Sequence, residues 1–446
     1  MTHPSAPDFD ALAAEAGALL SEYLRLPTVN PPGNETVAAR WVAQVLERDG
    51  IASEIFESSP GRGNLYARLR GTGAKSALIL LSHSDVVPAT PEAWSVDPFA
   101  GAIRDGYVWG RGALDMKGMG IVEIMTLLAF RRRGVPLARD LILIVNADEE
   151  GGSTGAAWFA REKASLIADA ELLLNEGGSN RVADDGSTVY YGLAVTEKLP
   201  FWLRLTARGT PGHASQPLRG NAVTRLVRAL ARVAEWETPL QLTAPADRYL
   251  RDLASRESDP ARHAWLSDPA AALATRDGAA FLTGDRYHNA ILRNTVSITG
   301  LTGSDKTNVI PPIATAELDV RLLPGVEPEA FLAELRAIIA DDAIEIEPLR
   351  DVRPATSSPL DGELVDSVRA AVEAMEPGAL LTTPMLAGYT DSPHYRALGI
   401  HAYGMSPFRV TMKEMGGVHG NDERVSVENL RFGVEYLYRI VERACG

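Results

Sequence analysis

The sequence predicts a mixed α/β protein in which a smaller domain of different architecture interrupts a larger one. Over the first two hundred residues, short continuous apolar runs alternate with helical patterns, which is typical of mostly parallel strands that helices cover on both faces. After residue 195 the strands become half-exposed and follow the order β-α-β-β-α-β, which predicts a ferredoxin-like antiparallel sheet. The α/β pattern returns after Pro354.

Each element is indicated by its periodicity and by the residues that end it. In the larger domain (1–196 and 353–446), strands are expected at 77–82, 141–145 and 171–174, and helices at 9–26, 36–49, 116–133, 154–164, 364–375 and 427–441. In the smaller domain (197–352), strands are expected at 199–207, 295–301, 315–323 and 344–347, and helices at 221–236 and 328–340. Residues 238–293, rich in Ala, Asp and Arg, are expected to be a long insertion with some helical segments.

Composition and charge exclude several classes of protein. The 446 residues include 44 basic and 58 acidic ones, and the net charge of −14 argues against nucleic acid as a partner. No run approaches the roughly 18 apolar residues that a membrane-spanning helix needs, so no membrane association is expected. A single cysteine, Cys445, excludes an intrachain disulfide and a cysteine metal site. Residues 1–10 lack the pattern of a secretory signal, so a cytoplasmic location is expected.

Four segments with acidic or histidine side chains lie at the end of a predicted strand or in the loop just after it, at the edge where open α/β sheets bind ligands, and a fifth lies late in the chain, before the last helix. The segments are SHSD with His83 and Asp85, GRGALDMKG with Asp115, DEEGG with Glu149 and Glu150, NEGG with Glu176, and GVHGNDE with His419. Singly, each has an ordinary explanation, since a histidine at a strand end is usually a structural residue and adjacent glutamates usually form a solvated turn. Together, the carboxylates would repel one another unless cations neutralised them. Two histidines and three carboxylates suit a pair of zinc ions, with cobalt or manganese as alternatives.

The same motifs resemble those of a known enzyme family. HSDVVP (83–88), GRGALDMKG (110–118), DEEGG (148–152), NEGG (175–178) and VHG (418–420) are similar, in this order, to the aminoacylase/carboxypeptidase family of di-zinc hydrolases. Carboxypeptidase G, succinyl-diaminopimelate desuccinylase and carboxypeptidase S belong to that family, and the resemblance covers nearly the whole chain. WSVDPF (94–99) and GYTD (388–391) are most similar to the carboxypeptidase S-like branch.

The resemblance implies a role for each of these side chains. His83 and Glu176 are expected to bind one metal ion, and Glu150 and His419 the other. Asp115 is expected to bridge the two ions. Glu149 is the expected general base, which would pass a proton from the attacking water to the leaving amine. Asp85 is expected to hold the second ring nitrogen of His83.

The inserted domain supplies further candidates by the same resemblance. GTPGHAS (209–215) is similar to a family loop whose histidine, here His213, polarises the substrate carbonyl across a homodimer interface. Asn308 and Arg321 resemble residues that grip the substrate's carboxylate, for which arginine is a two-pronged donor. Without the resemblance, an ion pair with Asp319 or Glu317 would explain Arg321 equally well. The remaining candidates for the carboxylate end of the substrate are Arg353, Gly388 and Thr390.

The predicted reaction is hydrolysis of a peptide or N-acyl amide bond whose leaving amine is an amino acid with a free carboxylate. An aminopeptidase or dipeptidase that recognises a free amino group is the alternative among enzymes. A non-catalytic dimerisation module on the same fold is the alternative from another class. Such a module is expected to have lost ligands or the base, whereas all of them are present in this chain.

Overall fold

The computed structural model describes residues 6–350, 352 and 355–446, which form two compact units. The first unit comprises Met1–Val195, Ser358–Pro384 and Thr390–Gly446, and the second comprises Thr196–Ser357 and Met385–Tyr389. The short segment 385–389, which the sequence assigned to the larger domain, thus lies in the second unit. Its Leu386 exchanges backbone hydrogen bonds with Thr196 and Lys198.

The helices that the sequence predicts lie close to their expected bounds, and the structure adds short helices that the sequence did not indicate. Over the described residues the helices are α1 (Phe9–Leu24), α2 (Glu35–Arg48), α3 (Lys117–Arg133), α4 (Glu149–Gly152), α5 (Thr154–Glu162), α6 (Ala222–Glu235), α7 (Ala244–Ala254), α8 (Pro260–Ser267), α9 (Pro269–Leu273), α10 (Arg276–Gly284), α11 (Arg286–Ile291), α12 (Pro328–Ile339), α13 (Glu363–Met375), α14 (Ser392–Arg396), α15 (Met412–Met415) and α16 (Val427–Cys445). None of these described helices has the length and apolar composition needed to cross a bilayer.

The strands include several that the sequence did not indicate, such as the first two. Over the described residues they are β1 (Ser53–Glu57), β2 (Gly63–Leu69), β3 (Ala77–His83), β4 (Ala102–Arg104), β5 (Tyr107–Trp109), β6 (Leu141–Asn146), β7 (Ala170–Asn175), β8 (Asn180–Val182), β9 (Thr188–Gly192), β10 (Leu199–Pro200), β11 (Leu203–Arg208), β12 (Gly212–His213), β13 (Thr295–Thr302), β14 (Val309–Ile310), β15 (Ile313–Leu322), β16 (Ile344–Pro348), β17 (Leu381–Thr382), β18 (His401–Gly404), β19 (Arg409–Val410) and β20 (Arg424–Ser426).

The main sheet of the first unit has the strand order β1-β2-β6-β3-β7-β18. Neighbouring strands run parallel from β6 to β18, whereas β1 and β2 are antiparallel strands at one edge. The predicted α/β class with a mostly parallel sheet is therefore confirmed. The register pairs His83 with Asn146 and Asn175 with Gly404, so the carboxyl ends of β3, β6, β7 and β18 reach the same edge.

Both faces of this sheet are covered by helices. Successive side chains of each strand point to opposite faces, so each strand contributes to two apolar layers. Leu80 and Leu143 pack in the core that includes α1, α2, α3, α13 and α16. Ile144 packs on the other face with Phe159 of α5 and Tyr395 of α14. Two apolar layers hold the strands in place and fix the positions of the side chains at the carboxyl edge.

The sheet of the second unit is antiparallel and has the order β16-β11-β15-β13, and the short β10 also pairs with β15. The strands and helices follow one another as β11-α6-β13-β15-α12-β16, so the predicted ferredoxin-like order is present. Helices α6 and α12 cover one face, where Leu226 and Phe331 pack on Leu318 and its neighbours. The predicted strand 199–207 is divided into β10 and β11, with Phe201 and Trp202 between them.

The insertion at 238–293 forms the short helices α7 to α11. Each of them begins after a side chain that accepts a hydrogen bond from a backbone N–H of the first turn, which stabilises a helix start. These capping residues are Thr243, Asp259, Asp268, Thr275 and Asp285.

The end of the insertion is attached to the second unit through the buried Lys198. Its Nζ donates to the carbonyl oxygens of Ala290 and Arg293, at 2.8 and 2.9 Å, and to the Thr295 hydroxyl at 3.0 Å. Burial lowers the pKa of Lys198 to about 7, and the charge of Arg321 acts in the same direction. Three acceptors that match the three ammonium protons offset part of the cost of burying this side chain.

Candidate active site

The acidic and histidine side chains that the sequence singles out meet at the carboxyl edge of the first unit's sheet. They are His83 at the end of β3, Asp115 before α3, Glu149 and Glu150 after β6, Glu176 after β7, and His419 in the loop before β20. Within the described residues, potential metal-binding atoms form two groups that share one carboxylate.

The first group comprises His83, Asp115 and Glu176, whose ligand atoms lie within 4.8 Å of one another. His83 Nε2 is 3.4 Å from Asp115 Oδ1 and 3.6 Å from Glu176 Oε1. This nitrogen is buried and makes no hydrogen bond within the described part of the chain. Burying a polar atom without a partner is costly, so this nitrogen is suited to a ligand that the side chains around it would share.

Asp85 holds the other nitrogen of the same imidazole. His83 Nδ1 lies 3.0 Å from the backbone oxygen of Asp85 and 3.3 Å from its Oδ1. A proton on Nδ1 that is donated here leaves the lone pair of Nε2 facing the first group. The Asp85 carboxylate also accepts hydrogen bonds from the backbone N–H groups of Glu149 and Glu150, at 3.1 Å each.

The second group comprises Asp115, Glu150 and His419. His419 Nε2 is 3.1 Å from Glu150 Oε1 and 3.2 Å from Asp115 Oδ2, so Asp115 presents one oxygen to each group. The His419 side chain is 53% exposed, against 1% for His83, so the histidine of the second group is open to solvent and that of the first group is buried. His419 has φ 56°, a left-handed conformation that is uncommon for residues other than glycine and concentrates at functional sites.

The turn α4 carries both glutamates away from the strand. Adjacent side chains on a strand point to opposite faces, so the sequence requires a turn here, and the chain turns at Asp148, which has φ 66°. Asn30 Nδ2 donates to the Asp148 carboxylate at 2.8 Å and holds this residue in place. A Cβ at Gly151 would collide with the same carboxylate, so the turn requires glycine at that position.

Negative charge accumulates at this edge beyond what the protein neutralises. Burial, followed by the charge of Glu176, raises the pKa of Glu149 well above its ordinary value. Burial, followed by the charge of Asp115, does the same to Glu176. Hydrogen bonds that His419 donates to the carboxylates of Asp115 and Glu150 raise the pKa of His419 to about 10. One imidazole nitrogen and two carboxylates in each group are a donor set that fits a pair of divalent cations.

Two candidates of the second unit, His213 and Asn308, lie side by side. Strand β12 pairs with β14, and the backbone N–H of Ala214 donates to the Asn308 carbonyl oxygen at 3.0 Å. Both candidate side chains are exposed. His213 Nδ1 accepts hydrogen bonds from the backbone N–H and the hydroxyl of Ser215, at 3.2 and 2.7 Å.

Arg321 forms the ion pair that the sequence leaves open as the alternative. Its Nε lies 2.7 Å from Asp319 Oδ1 and its Nη2 lies 3.0 Å from Asp319 Oδ2, on the sheet face that the helices leave uncovered. Gly388 lies in the second unit, whereas Thr390 lies in the first, is buried, and accepts a hydrogen bond from the Ser392 N–H at 3.1 Å. Arg353 falls outside the described residues.

Sequence reasoning missed several polar residues that support the site. Asn30 Nδ2 donates to Asp85 as well as to Asp148, and Arg62 donates to Asp148 at 2.7 Å. Asp391 is buried, and burial raises its pKa to about 6. Asp148 and Asp391 stand inside the quoted motifs DEEGG and GYTD, so they could have been noticed. Asn30 and Arg62 lie in segments without any recognised motif.

The sequence model of peptidase family M20/M25/M40 matches residues 79–443, a span that contains all the candidate ligands. The chain belongs to this family. The recognition from sequence motifs is therefore confirmed, and the protein is a hydrolytic enzyme of the M20 family.

Among M20 relatives, mouse N-fatty-acyl-amino acid synthase/hydrolase PM20D1 is 29% identical over 393 residues, which cover 82% of this chain and 74% of that protein. Human aminoacylase-1 is 27% identical over 429 residues, which cover 95% of this chain and 93% of that protein. Both alignments extend well beyond the metal-binding motifs into the inserted domain.

Solved M20 structures share the fold. The metallo-carboxypeptidase Sso-CP2 from Sulfolobus solfataricus superposes with a TM-score of 0.76 at 18% identity and covers 96% of this chain and 99% of its own. The dipeptidase Dug1p from Saccharomyces cerevisiae superposes with a TM-score of 0.71 at 15% identity and covers 98% of this chain and 97% of its own. At these identities the likeness concerns the fold alone.

Proposed function

We propose that this M20 enzyme is a two-metal hydrolase that releases an amino acid with a free carboxylate from an N-acyl amino acid or from the end of a peptide. The observation that carries the proposal is that Asp115 presents Oδ1 to His83 and Oδ2 to His419. The names of two relatives, an N-fatty-acyl-amino acid synthase/hydrolase and an aminoacylase, support N-acyl amino acids as the substrate class.

Each group of ligands would hold one divalent cation. His83 and Glu176 would bind the first, Glu150 and His419 the second, and Asp115 both. Nitrogen and carboxylate donors favour zinc, with cobalt or manganese as alternatives. When bound, the two ions would polarise the scissile carbonyl and lower the pKa of the attacking water.

Glu149 is the proposed general base. Its backbone N–H is held by Asp85 at 3.1 Å, which fixes the start of the side chain at the rim of the two ligand groups. Burial raises the pKa of Glu149, which favours the protonated form that the carboxylate must adopt between taking the proton of water and delivering it to the leaving nitrogen. The same side chain therefore serves as base in the first step and as acid in the second.

His213 is proposed to stabilise the oxyanion that forms on the substrate. Because the backbone N–H of Ser215 can only donate, His213 Nδ1 must accept, and a neutral ring then carries its proton on Nε2. An Nε2–H group on an exposed ring is a donor that a developing negative charge can use. Asn308 beside it, with Arg321, is proposed to bind the carboxylate of the leaving amino acid. Gly388, Thr390 and Arg353 are secondary candidates for the same end.

We also propose a homodimer in which each chain lends His213 to its partner's site. Strand β13 is at an edge of the second unit's sheet and pairs only with β15 among the described strands. Its Ile298 and Leu301 are 40% and 64% exposed, and an open edge with apolar side chains is suited to pairing with a second copy. Sedimentation should give twice the chain mass, and Leu301→Lys should shift the protein toward monomer. A wild-type monomer at all concentrations would contradict this part of the proposal.

A panel of N-acyl amino acids and dipeptides, assayed on protein loaded with defined metals, tests the proposed reaction. Prolonged chelation should abolish hydrolysis, and zinc, cobalt or manganese should restore it. The carboxyl-amidated form of the best substrate and its amino-blocked form should be compared in parallel. Loss of activity on blocking the amino group, with none on amidation, would favour an aminopeptidase or dipeptidase.

A cytoplasmic location is the last part of the proposal. Proteins of oxidising compartments are commonly stabilised by disulfides, whereas this chain has a single cysteine, Cys445, which is free and buried. Cell fractionation with a tagged chain tests it, and recovery from the medium would contradict it.

A further inference from the structure

Two loops that carry ligands leave the same end of a small antiparallel sheet. Strand β5 pairs with β20, and Trp109 lies opposite Arg424. The loop after β5 leads to Asp115, and the loop before β20 contains His419. The backbone N–H of Gly110 also donates to the carbonyl oxygen of Glu423 at 3.0 Å, so the two loops touch where they leave the sheet.

The carboxylate of Glu423 lies wholly buried inside the loop that carries Asp115. Its Oε1 accepts hydrogen bonds from the backbone N–H groups of Leu114 and Asp115, at 2.7 and 3.0 Å. Its Oε2 accepts one from the N–H of Gly112 at 3.0 Å and one from Arg111 Nη1 at 2.6 Å. Four donors on one carboxylate determine the path of this loop, including the residue that both ligand groups share.

The guanidinium of Arg111 reaches in the opposite direction, into the loop that carries His419. Its Nη1 donates to the carbonyl oxygen of Gly417 at 3.3 Å, and its Nη2 donates to that of Gly420 at 2.6 Å. These carbonyls lie on either side of His419, whose backbone has the left-handed φ described above. The Arg111 side chain is 3% exposed and lies against the Trp94 ring, so it has no freedom to follow a displaced loop.

We propose that the ion pair Arg111–Glu423 is a positioning device that holds Asp115 and His419 at the separation a metal ion requires, and thereby sets the affinity of the second ligand group. The inference rests on the two-metal function proposed above. It assigns a role to two residues that lie outside both ligand groups. Glu423 fixes Asp115 through the backbone, and Arg111 fixes the two peptide groups that flank His419.

The device should act unequally on the two ligand groups. In the first group, His83 and Glu176 come from the ends of β3 and β7, which the main sheet holds in place. In the second group, His419 lies in a loop, and its side chain is half exposed. Loosening the ion pair should therefore weaken the second ion selectively, because its histidine has no strand to hold it.

Metal titration of the full-length protein, stripped by chelation, tests the inference. Cobalt(II), followed by its visible absorption, and zinc, followed by calorimetry, should be added to wild type, Glu423→Gln and Arg111→Lys. Both variants should bind the weaker ion with an affinity reduced by about tenfold or more, the scale for losing a partner that orients a ligand, and keep the tighter ion within about threefold. A lysine keeps the charge, but its single donor atom does not reproduce the planar fork with which Arg111 spans the Glu423 carboxylate and the carbonyls of Gly417 and Gly420. Excess metal should restore much of kcat in both variants.

Asp140→Asn is the matched control. Asp140 is also a buried carboxylate of the first unit that accepts hydrogen bonds from a backbone N–H, that of Gly71, and from arginines 68 and 70, at 2.6 to 2.8 Å. It immediately precedes β6, whereas the ligands follow the carboxyl end of that strand. Asp140→Asn should lose thermal stability but bind both ions as wild type does.

The outcomes separate this inference from the proposed function. If the wild type binds no divalent ions, the two-metal function fails. If the wild type binds two ions and both variants bind them equally well, the ion pair has no positioning role. Equal weakening of the two ions, or the same loss in Asp140→Asn, would reduce the pair to a general contribution to stability and overturn the inference. Should Glu423→Gln fail to fold, Arg111→Lys decides the matter alone.

Discussion

The two units of this molecule treat their charged residues in opposite ways. On the uncovered sheet face of the second unit, arginines and acidic residues alternate as exposed or half-exposed ion pairs: Arg204 with Glu317, Arg208 with Glu345, and Arg321 with Asp319. At the carboxyl edge of the first unit, carboxylates gather with two histidines, and burial raises the pKa values of Glu149 and Glu176.

This difference teaches where the structure is built for ligands. An exposed ion pair contributes little to stability, and its two charges already neutralise each other. The charged face of the second unit therefore does not need a bound ion. The edge of the first unit holds like charges together in a buried place, which is unfavourable unless cations join them. The rest of the fold must offset this unfavourable free energy. Groups with such perturbed pKa values are concentrated at functional sites.

Replacing the shared carboxylate should give the largest effect. Asp115→Ala removes an oxygen from both ligand groups, so hydrolysis should fall to background and the metal content should fall for both ions. Glu345→Ala, which breaks an exposed ion pair of the second unit, is the control and should leave both unchanged. Elemental analysis with a substrate assay measures the two quantities. Retention of two tightly bound ions in Asp115→Ala would show that the two groups do not depend on this residue.

Glu149→Gln should separate metal binding from proton transfer. The amide keeps the shape of the side chain but cannot accept the proton, so kcat should fall on the order of a hundredfold or more at normal metal content. Glu150→Gln is the matched comparison, since it should lose metal as well as activity. If Glu149→Gln lost an ion and kept its rate per bound ion, the roles of the two neighbours would be reversed.

The sequence predicted the parts of the molecule whose signals are local. Apolar runs such as 77–82 and 141–145 indicated the parallel strands, and the ligand-type residues followed those strands within conspicuous motifs. The turn at Asp148, the hydrogen bonds of Asn30 and the Arg111–Glu423 ion pair could not be predicted, because each depends on contacts between distant segments. The strands β1 and β2 escaped because neither is a continuous apolar run.

His213→Ala is expected to cost about 3 kcal/mol of barrier, or roughly a hundredfold in kcat, the scale for losing one donor to an oxyanion. Both metal ions should remain, because His213 belongs to the other unit and the ligand groups do not include it. Ser215→Ala should give a smaller loss, since the hydroxyl is one of two donors to His213 Nδ1. If His213→Ala kept full activity, His213 would be an exposed residue of the second unit without a catalytic role.

Mixing inactive variants tests whether His213 acts across a dimer. In a mixed dimer of His213→Ala and Glu149→Gln chains, one site has an intact Glu149 and receives His213 from the other chain, so activity should reappear. Exchange of subunits must be shown independently, for example by mass-tagged chains. A failure to recover activity despite exchange would mean that His213 serves its own chain or has no catalytic role.

The smallest effect is expected from Arg321, because it already has a partner. A substrate carboxylate would have to share the guanidinium with Asp319, so amidating the substrate should cost about 1.5 kcal/mol, roughly tenfold in kcat/KM. Arg321→Lys should lose a similar factor on free acids and none on amides, since a point charge does not reproduce the two-pronged geometry. Arg204→Lys, on the same face and paired with Glu317, is the control and should change neither rate. If Arg321→Lys changed neither rate, like Arg204→Lys, Arg321 would only form a surface ion pair with Asp319. The substrate carboxylate would then have to be bound by other residues.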